Sequence, residues 1–550
     1  MVTSNSSTRP FSGLFRSVAR TGRSLLEIAG DAIGKGQLIL GMRPSVILTG
    51  RMAMEQWKHA LNGTPVPKGR PILVFAIRNP RWVEWAVFSS CYLVRLGHPV
   101  VLVFSTREID SIYPGDRRQG FSFWGGVGGI RQFCVEDLDE YVDKGDRSGH
   151  PYGEFAKCSA HMVAAYDLKV EEYEGDEEGK YAAVVESAER MLMDYGRAVE
   201  RLARKLSPVR IVCPSGLIGL SIAVREACHR EGVDAFFIEG WAMRPGHNIW
   251  NLNRPALEYD IGGWKRVLGE WTSDKERDAA DYMRFREGSR VSTEEWLDNF
   301  HQVQRSRKED PLPPGVEEFL GRPGKKVLLG TNVVGDSSTL GRATIFRSQK
   351  EWVSEVIRFF RERPGFSLVV RAHPDEVWQK AKTRIGDVAA EMAKDIENVL
   401  VVPGTSDVNT FSLMERSDAG LAWVSNFGLD MALRGKPVIL AAAARYAFTG
   451  ICLVPKTREE YFEEMGKVLE AGWRPQAQAI TEAKMYHHIV FKRMSLKADS
   501  ENYRSAHYRL REGGMTPDQD RFYRILAGEL SDKGESRGGI GTARVRGSVS

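Results

Sequence analysis

The sequence lacks the marks of several protein classes. Its six cysteines, Cys91, Cys134, Cys158, Cys213, Cys228 and Cys452, lie far apart and form no CxxC pair. That spacing argues against a structural zinc and for a reducing compartment. No apolar stretch approaches the ~18 residues that a membrane-spanning helix requires. The N-terminal stretch has no apolar run followed by a small-residue cleavage site, so the expected location is cytoplasmic. Charge of one sign is not in excess: 77 basic residues face 72 acidic ones, a net +5. This balance argues against nucleic acid as the main partner and leaves a weak pull toward anionic ligands or membrane surfaces. The glycines of "FSFWGGVGGI" do not follow GxGxxG, and a flexible loop is the simpler reading.

What is present describes a two-domain protein. The 550 residues exceed one compact domain. Residues 1–66 read as an extension. Within it Phe11, Leu14, Phe15, Val18, Leu25 and Leu26 recur at helical spacing, with Arg16, Arg20 and Arg23 between them. Such a helix either lies on the anionic inner face of a membrane, making the protein peripheral there, or packs on the body of the protein. From Pro71 the pattern becomes strand, helix, strand: "PILVFAIRNP", "RWVEWAVFSSCYLVRLGH", "PVVLVFS". Continuous apolar runs of this length suit strands buried on both faces of a parallel sheet. "VRIVCPSG", "LIGLSIAVREACHREG" and "DAFFIEG" repeat the unit. The acidic run "EEYEGDEEG" reads as a solvated face.

A proline-, glycine- and charge-rich stretch near residues 306–325 marks a boundary. Residues 67–312 are thus expected to form a first Rossmann-like domain and residues 313–480 a second. In the second, "KVLLGTN", "FSLVVRAHP", "NVLVVPG", "AGLAWVS" and "PVILAAAA" supply strands. Helices within 481–530 are expected to return to the first domain, and residues 531–550 to be disordered. The fold class is therefore α/β, with two doubly wound Rossmann-like domains.

In open parallel sheets, ligands bind beyond the carboxyl ends of the strands. Arg371 and His373 stand at such an end, two apart and so on one face, with Pro374 stopping the pairing. They suit a phosphate oxygen, or His373 is an edge histidine satisfied by Asp375. In "WVSNFGLDMALRGKPVIL", Ser425 or Asn426 can cap a helix whose amides form an anion site, and Gly428 admits a ligand to the backbone. Asp430 either offsets the helix dipole or accepts from ribose hydroxyls, and Gly435 to Pro437 end the helix. Thr331 and Asn332 open a turn toward the interdomain cleft, or an ordinary loop. In "FFIEGWAMRPGH", Glu239 is a candidate general base or a capping carboxylate, with Arg244 and His247 close behind.

In this order, the His–Pro pair and the "SNFGLDMALRGKPV" element resemble the capsule polysaccharide biosynthesis family of glycosyltransferases, which includes the bacterial capsule Kdo transferases. "REACHREGVDAFFIEGWAMRPG" and "LLGTNVVGDSS" carry the same resemblance. The resemblance covers residues 70–470 and implies a GT-B architecture, two Rossmann-like domains facing a cleft. It implies a nucleotide-sugar donor held by Thr331, Asn332, Arg371, His373, Pro374, Ser425, Asn426, Gly428 and Asp430. The acceptor, a surface polysaccharide or lipid-linked saccharide, then meets Glu239 and His247 on the first domain. No cofactor is expected, the nucleotide sugar being a substrate. No acidic pair suited to a divalent ion lies near these motifs, so metal-independent chemistry is expected. Two other readings stay open: a CDP-linked glycerol or polyol phosphotransferase, and a non-catalytic scaffold of a polysaccharide assembly complex.

Overall fold

The computed structural model describes Lys58 and residues 61–78, 80–110, 130–143, 145, 149–172, 179–240, 247–288, 308, 310–376, 381–471, 473–497 and 516–533. The amphipathic segment 11–33, the glycines of residues 125–129, Arg244 and the tail from residue 534 lie outside these residues.

The first sheet gathers β1 (Ile72–Phe75), β2 (Val100–Phe104), β3 (Cys134–Asp137), β4 (Arg210–Pro214), β5 (Ala235–Gly240) and β6 (His247–Leu252). The second holds β7 (Lys326–Gly330), β8 (Ser367–Arg371), β9 (Val399–Val402), β10 (Ala419–Ala422) and β11 (Val438–Leu440). A late strand, β12 (Ser495–Lys497), completes the first sheet, whose order is β12-β6-β5-β4-β1-β2-β3. The second runs β11-β10-β7-β8-β9. Each parallel core thus has its first strand central and reverses direction between its first and fourth strands. That reversal opens a crevice at the carboxyl edge. The strands β6 and β12 are antiparallel additions at one edge.

Local sequence explains the elements. Every residue of β1, β2 and β4 is buried, as continuous apolar runs covered by helices on both faces must be. The helix Gln349–Arg361 starts where Ser348 Oγ accepts from Glu351 N and buries Trp352, Val353, Val356, Ile357 and Phe360. Those residues fall on one stripe of a 3.6-residue period. Pro364 and Gly365 prevent its continuation.

After the second sheet the chain returns to the first. The helix Ala477–His488 leads through a π turn, Ile489–Arg493, into β12 beside β6. The helix Pro517–Ala527 opens on a Thr516–Gln519 capping box, and its Tyr523 stacks on Tyr92 at 4.7 Å. Arg210 ties the end of that helix to β4 by donating to Ile525 O and Leu526 O.

The two sheets are joined by a clasp of acids. Glu171 is 8 % exposed and accepts from Gln349 N and Lys350 N, capping the second-domain helix across the junction. Glu172 accepts from Gly341 N at 2.5 Å. The sequence reading of this run as a solvated face is therefore corrected for its first two residues. The free amides of a helix N-terminus bind carboxylates better than water does.

Candidate functional site

The site forms where loops leaving β4 and β5 meet loops leaving β7, β8 and β11. Lys169 Nζ donates to Gly335 O at 3.2 Å, and Arg445 Nε donates to Leu257 O at 2.5 Å. Gly335 has φ +69°, and a Cβ there would lie 2.7 Å from Ala165 O, so a glycine lets the domains approach.

Glu239 ends β5, paired with Ile249 of β6. Burial pushes its carboxyl up to about 8, against a hydrogen bond from Ser215 and with help from the charge of Asp336. Its Oε2 is shielded from solvent and accepts no hydrogen bond. Ser215 itself has φ +58°, a left-handed conformation that a serine holds at some strain. Asp336, on the loop after β7, belongs to the second domain, so a charge from across the junction acts on Glu239. His247 opens β6, next to Asn248, which pairs with Gly240 beyond Glu239. It stands at the same edge.

The donor candidates separate into two groups. Arg371 is 5 % exposed, and its guanidinium donates to Pro403 O at 2.6 Å, Thr410 Oγ1 at 3.3 Å, Val408 O at 3.3 Å and Ser406 O at 3.4 Å. This corrects the expectation that it meets a phosphate: it holds the loop after β9. Thr331 is likewise internal. Its hydroxyl accepts from His373 N and donates to Glu376, and its amide donates to Arg371 O. Asn332 N donates to Gln349 Oε1, and its Oδ1 accepts from Val424 N. These two residues therefore tie loops together and turn no amide to a ligand.

Gly428 is also corrected. A Cβ there would lie 2.3 Å from the Tyr446 hydroxyl and 2.9 Å from Ala422 Cβ, so the glycine makes room for a tyrosine and not for a ligand. Asp430 does not fall in the first turn of the helix Asn426–Leu433, and it is 3 % exposed. Lys436 donates to Glu415 O and Ser417 O, a helix-end role. Four candidates stay partly exposed: His373, Pro374, Ser425 and Asn426. Ser425 Oγ caps by accepting from Phe427 N. His373 Nδ1 accepts from Asp375 N at 3.1 Å, which places the ring proton on Nε2 in the neutral form. Pro374 opens the turn Pro374–Glu376 that fixes this geometry.

Several residues were missed. Asp375 is pushed up to about 7 by burial and by Asp336. The charge of Asp336 thus reaches both Glu239 at the end of β5 and Asp375 after β8. Tyr166 lies beside them, its phenol raised by burial and by Glu239, Asp336 and Asp167. Behind Tyr166 a cavity of about 230 Å³ opens between the ends of β1 and β4, where the sheet order reverses. Arg78, Glu108, Asp167 and Lys169 supply its polar groups. Burial raises Glu108 to about 7 and lowers Lys169, so the pocket disfavours charge of either sign. Arg342 and Arg445 were missed too. The signal for Arg445 was present, since "AAAARYAF" puts one cation into a run of small residues at a strand end.

Among the described residues no helix is long and apolar enough to cross a membrane, and no group of three His, Cys, Asp or Glu side chains is placed to hold a metal ion. All six cysteines are free, four of them buried.

No curated protein matches the chain. Two solved Kdo transferases from Thermosulfurimonas dismutans overlap it loosely. The KpsC β-Kdo 2,4 transferase is 17 % identical, with a TM-score of 0.34, over 50 % of this chain and 79 % of that one. The β-Kdo 2,7 transferase is 14 % identical, with a TM-score of 0.30, over 52 % and 79 %. The UDP-GlcNAc 2-epimerase of Neisseria meningitidis is 10 % identical, with a TM-score of 0.24, over 80 % and 98 %. The family described as "Capsule polysaccharide biosynthesis protein" matches residues 313–464, a span that holds Asp336, Arg342, His373, Ser425 and Arg445. Over that span the resemblance read from the sequence stands, and the second domain carries the pattern of the capsule polysaccharide biosynthesis proteins.

Proposed function

We propose that the protein is a glycosyltransferase that moves a sugar from a nucleotide-sugar donor to a saccharide or lipid-linked acceptor. The observation that carries this reading is Glu239, a buried carboxyl raised to about 8 at the end of β5, where the charge of Asp336 from the second domain reaches it. A group that titrates near working pH, in a cleft between two Rossmann-like sheets, suits general-base work. The family match of residues 313–464 supports a capsule-type product.

In this reading an acceptor hydroxyl lies against Glu239, with its sugar ring toward the cavity behind Tyr166. The hydroxyl oxygen attacks the anomeric carbon as Glu239 takes its proton. The bond from that carbon to the nucleotide phosphate breaks, and the phosphate leaves with the electron pair. Donors aimed at the departing oxygen lower the barrier. In this reading the His373 imidazole and the Asn426 amide are those donors, and no metal is assigned to the step.

The test is a panel of nucleotide sugars labelled separately in sugar and phosphate. Transfer of the sugar label alone supports the proposal. Transfer of the phosphate with its polyol marks a phosphotransferase, and nucleotide binding without transfer to any acceptor marks a scaffold. Activity that vanishes in EDTA and returns with magnesium overturns the metal-independent step.

A further inference from the structure

Two arginines at the domain junction have more donors than the protein gives them acceptors. Arg445 Nε donates to Leu257 O at 2.5 Å and its Nη1 to Ser338 O at 3.1 Å. Its Nη2 is shielded from solvent and has no acceptor. Arg342 lies alongside, because Ala443 N donates to Arg342 O and Ala343 bridges Ala442. Arg342 Nη2 is 3.6 Å from Glu258 Oε1, and its side chain is 20 % exposed. Burial and then the charge of Arg445 make the Arg342 cation less favourable than usual. Tyr259 and Tyr486 flank the pair and feel both cations.

The charge around the pair does not balance. Glu258 is the carboxylate paired with Arg342, yet its side chain is 47 % exposed and its charge also reaches Arg225. Glu239 is near enough to act on Tyr259, but burial keeps it largely protonated at neutral pH. Two like charges in a half-buried junction repel, and a shielded guanidinium N–H without an acceptor is costly. An anion relieves both penalties. Guanidinium pairs bind planar or tetrahedral oxyanions with two parallel hydrogen bonds.

We propose that Arg342 and Arg445 hold an oxyanion between the two domains, a phosphate or a carboxylate carried by one of the reactants. The assignment to a reactant rests on the transferase reading; the anion site does not. It also moves the cationic role away from Arg371, whose guanidinium donates to four acceptors inside the second domain.

The experiment is calorimetric titration of the full-length protein at constant ionic strength with pyrophosphate, CMP, cytidine and glucuronate, beside a thermal melt. At least one anion binds saturably and cytidine does not bind detectably at the same concentration. Arg342→Gln weakens that anion about ten- to a hundred-fold, as loss of a charged hydrogen bond does. Glu258→Gln, which removes the competing carboxylate, tightens it several-fold. A purely structural ion pair gives the opposite: Glu258→Gln lowers the melting temperature and leaves anion affinity where it was. Loss confined to CMP and pyrophosphate identifies the donor phosphate, and loss confined to glucuronate identifies a sugar carboxylate. If no anion binds, or if Arg342→Gln binds like the parent, the site is wrong. Anion binding that behaves as described without any sugar transfer keeps this site and discards the transferase.

Discussion

A carboxyl at the end of a buried strand stays protonated at neutral pH only while burial outweighs its partners, and Glu239 is in that state. Its folded value of about 8 lies above that of the unfolded chain, so the folded protein binds the extra proton between the two values. Stability from this group is full below the unfolded value and is lost as pH rises toward 8. Glu239→Gln, which cannot ionise, should flatten that decline and raise the melting temperature at pH 8 by a few degrees. The same change should cut turnover by roughly two to four orders of magnitude, the usual worth of a general base. Turnover of the parent should climb with pH up to about 8, as the base becomes ionised. A variant that melts lower than the parent at pH 8 and keeps its turnover would return Glu239 to a capping role. His373 poses a different question at this scale. Its Nδ1 accepts from Asp375 N, so in the neutral form the ring donates through Nε2. His373→Ala should weaken nucleotide binding about ten- to a hundred-fold in a titration and leave the melt nearly unchanged. Unaltered affinity in a less stable protein would remove this residue from the donor site.

The strand β8 and the helix after β10 show what a sequence reveals about an element and what it conceals. Apolar runs such as "SLVV" and "GLAW" made the strands, their order and the βα rhythm legible, because burial on both faces imposes them. The direction of a side chain at a strand end is not imposed in that way. Arg371 and His373 alternate onto one face in principle, yet β8 ends at Arg371 and the chain turns at Pro374. Arg371 consequently fills a space under the 403–408 loop. An arginine that binds three carbonyls of its own chain looks, as sequence, the same as one that binds a phosphate. Gly428 misled for a related reason, since the group needing space was the Tyr446 hydroxyl, which lies 18 residues further along the chain. The position of Glu239 at the sheet's carboxyl edge was legible, because it directly follows the strand run "AFFI". Gly428→Ala should destabilise the second domain by about 1–3 kcal/mol, the usual range for overpacking. Nucleotide affinity per folded molecule should not move. If the variant melts normally and loses affinity instead, a ligand and not Tyr446 occupies that space.

At the scale of the whole molecule, the domains are coupled through hydrogen bonds that run into the donor loops. Glu171 of the first domain accepts from Gln349 N, and Gln349 Oε1 accepts from Asn332 N. Asn332 Oδ1 in turn accepts from Val424 N, next to the Ser425 cap. The sequence could not show this coupling, because Glu171 and its partner Gln349 lie 178 residues apart and Glu171 sits in a run whose composition suits open solvent. The antiparallel edge of β6 and β12 was hidden for the same reason: three residues arriving from the far end of the chain carry little pattern of their own. Glu171→Ala leaves two helix N-terminal amides without their carboxylate, a loss of about 1–3 kcal/mol. If the relay is continuous, hydrogen exchange should quicken at Asn332 and Val424 as well as at Gln349 and Lys350, and donor affinity should fall several-fold although Glu171 touches no donor residue. Quicker exchange at Gln349 and Lys350 alone, with donor affinity intact, would show that the clasp joins the domains without reaching the site.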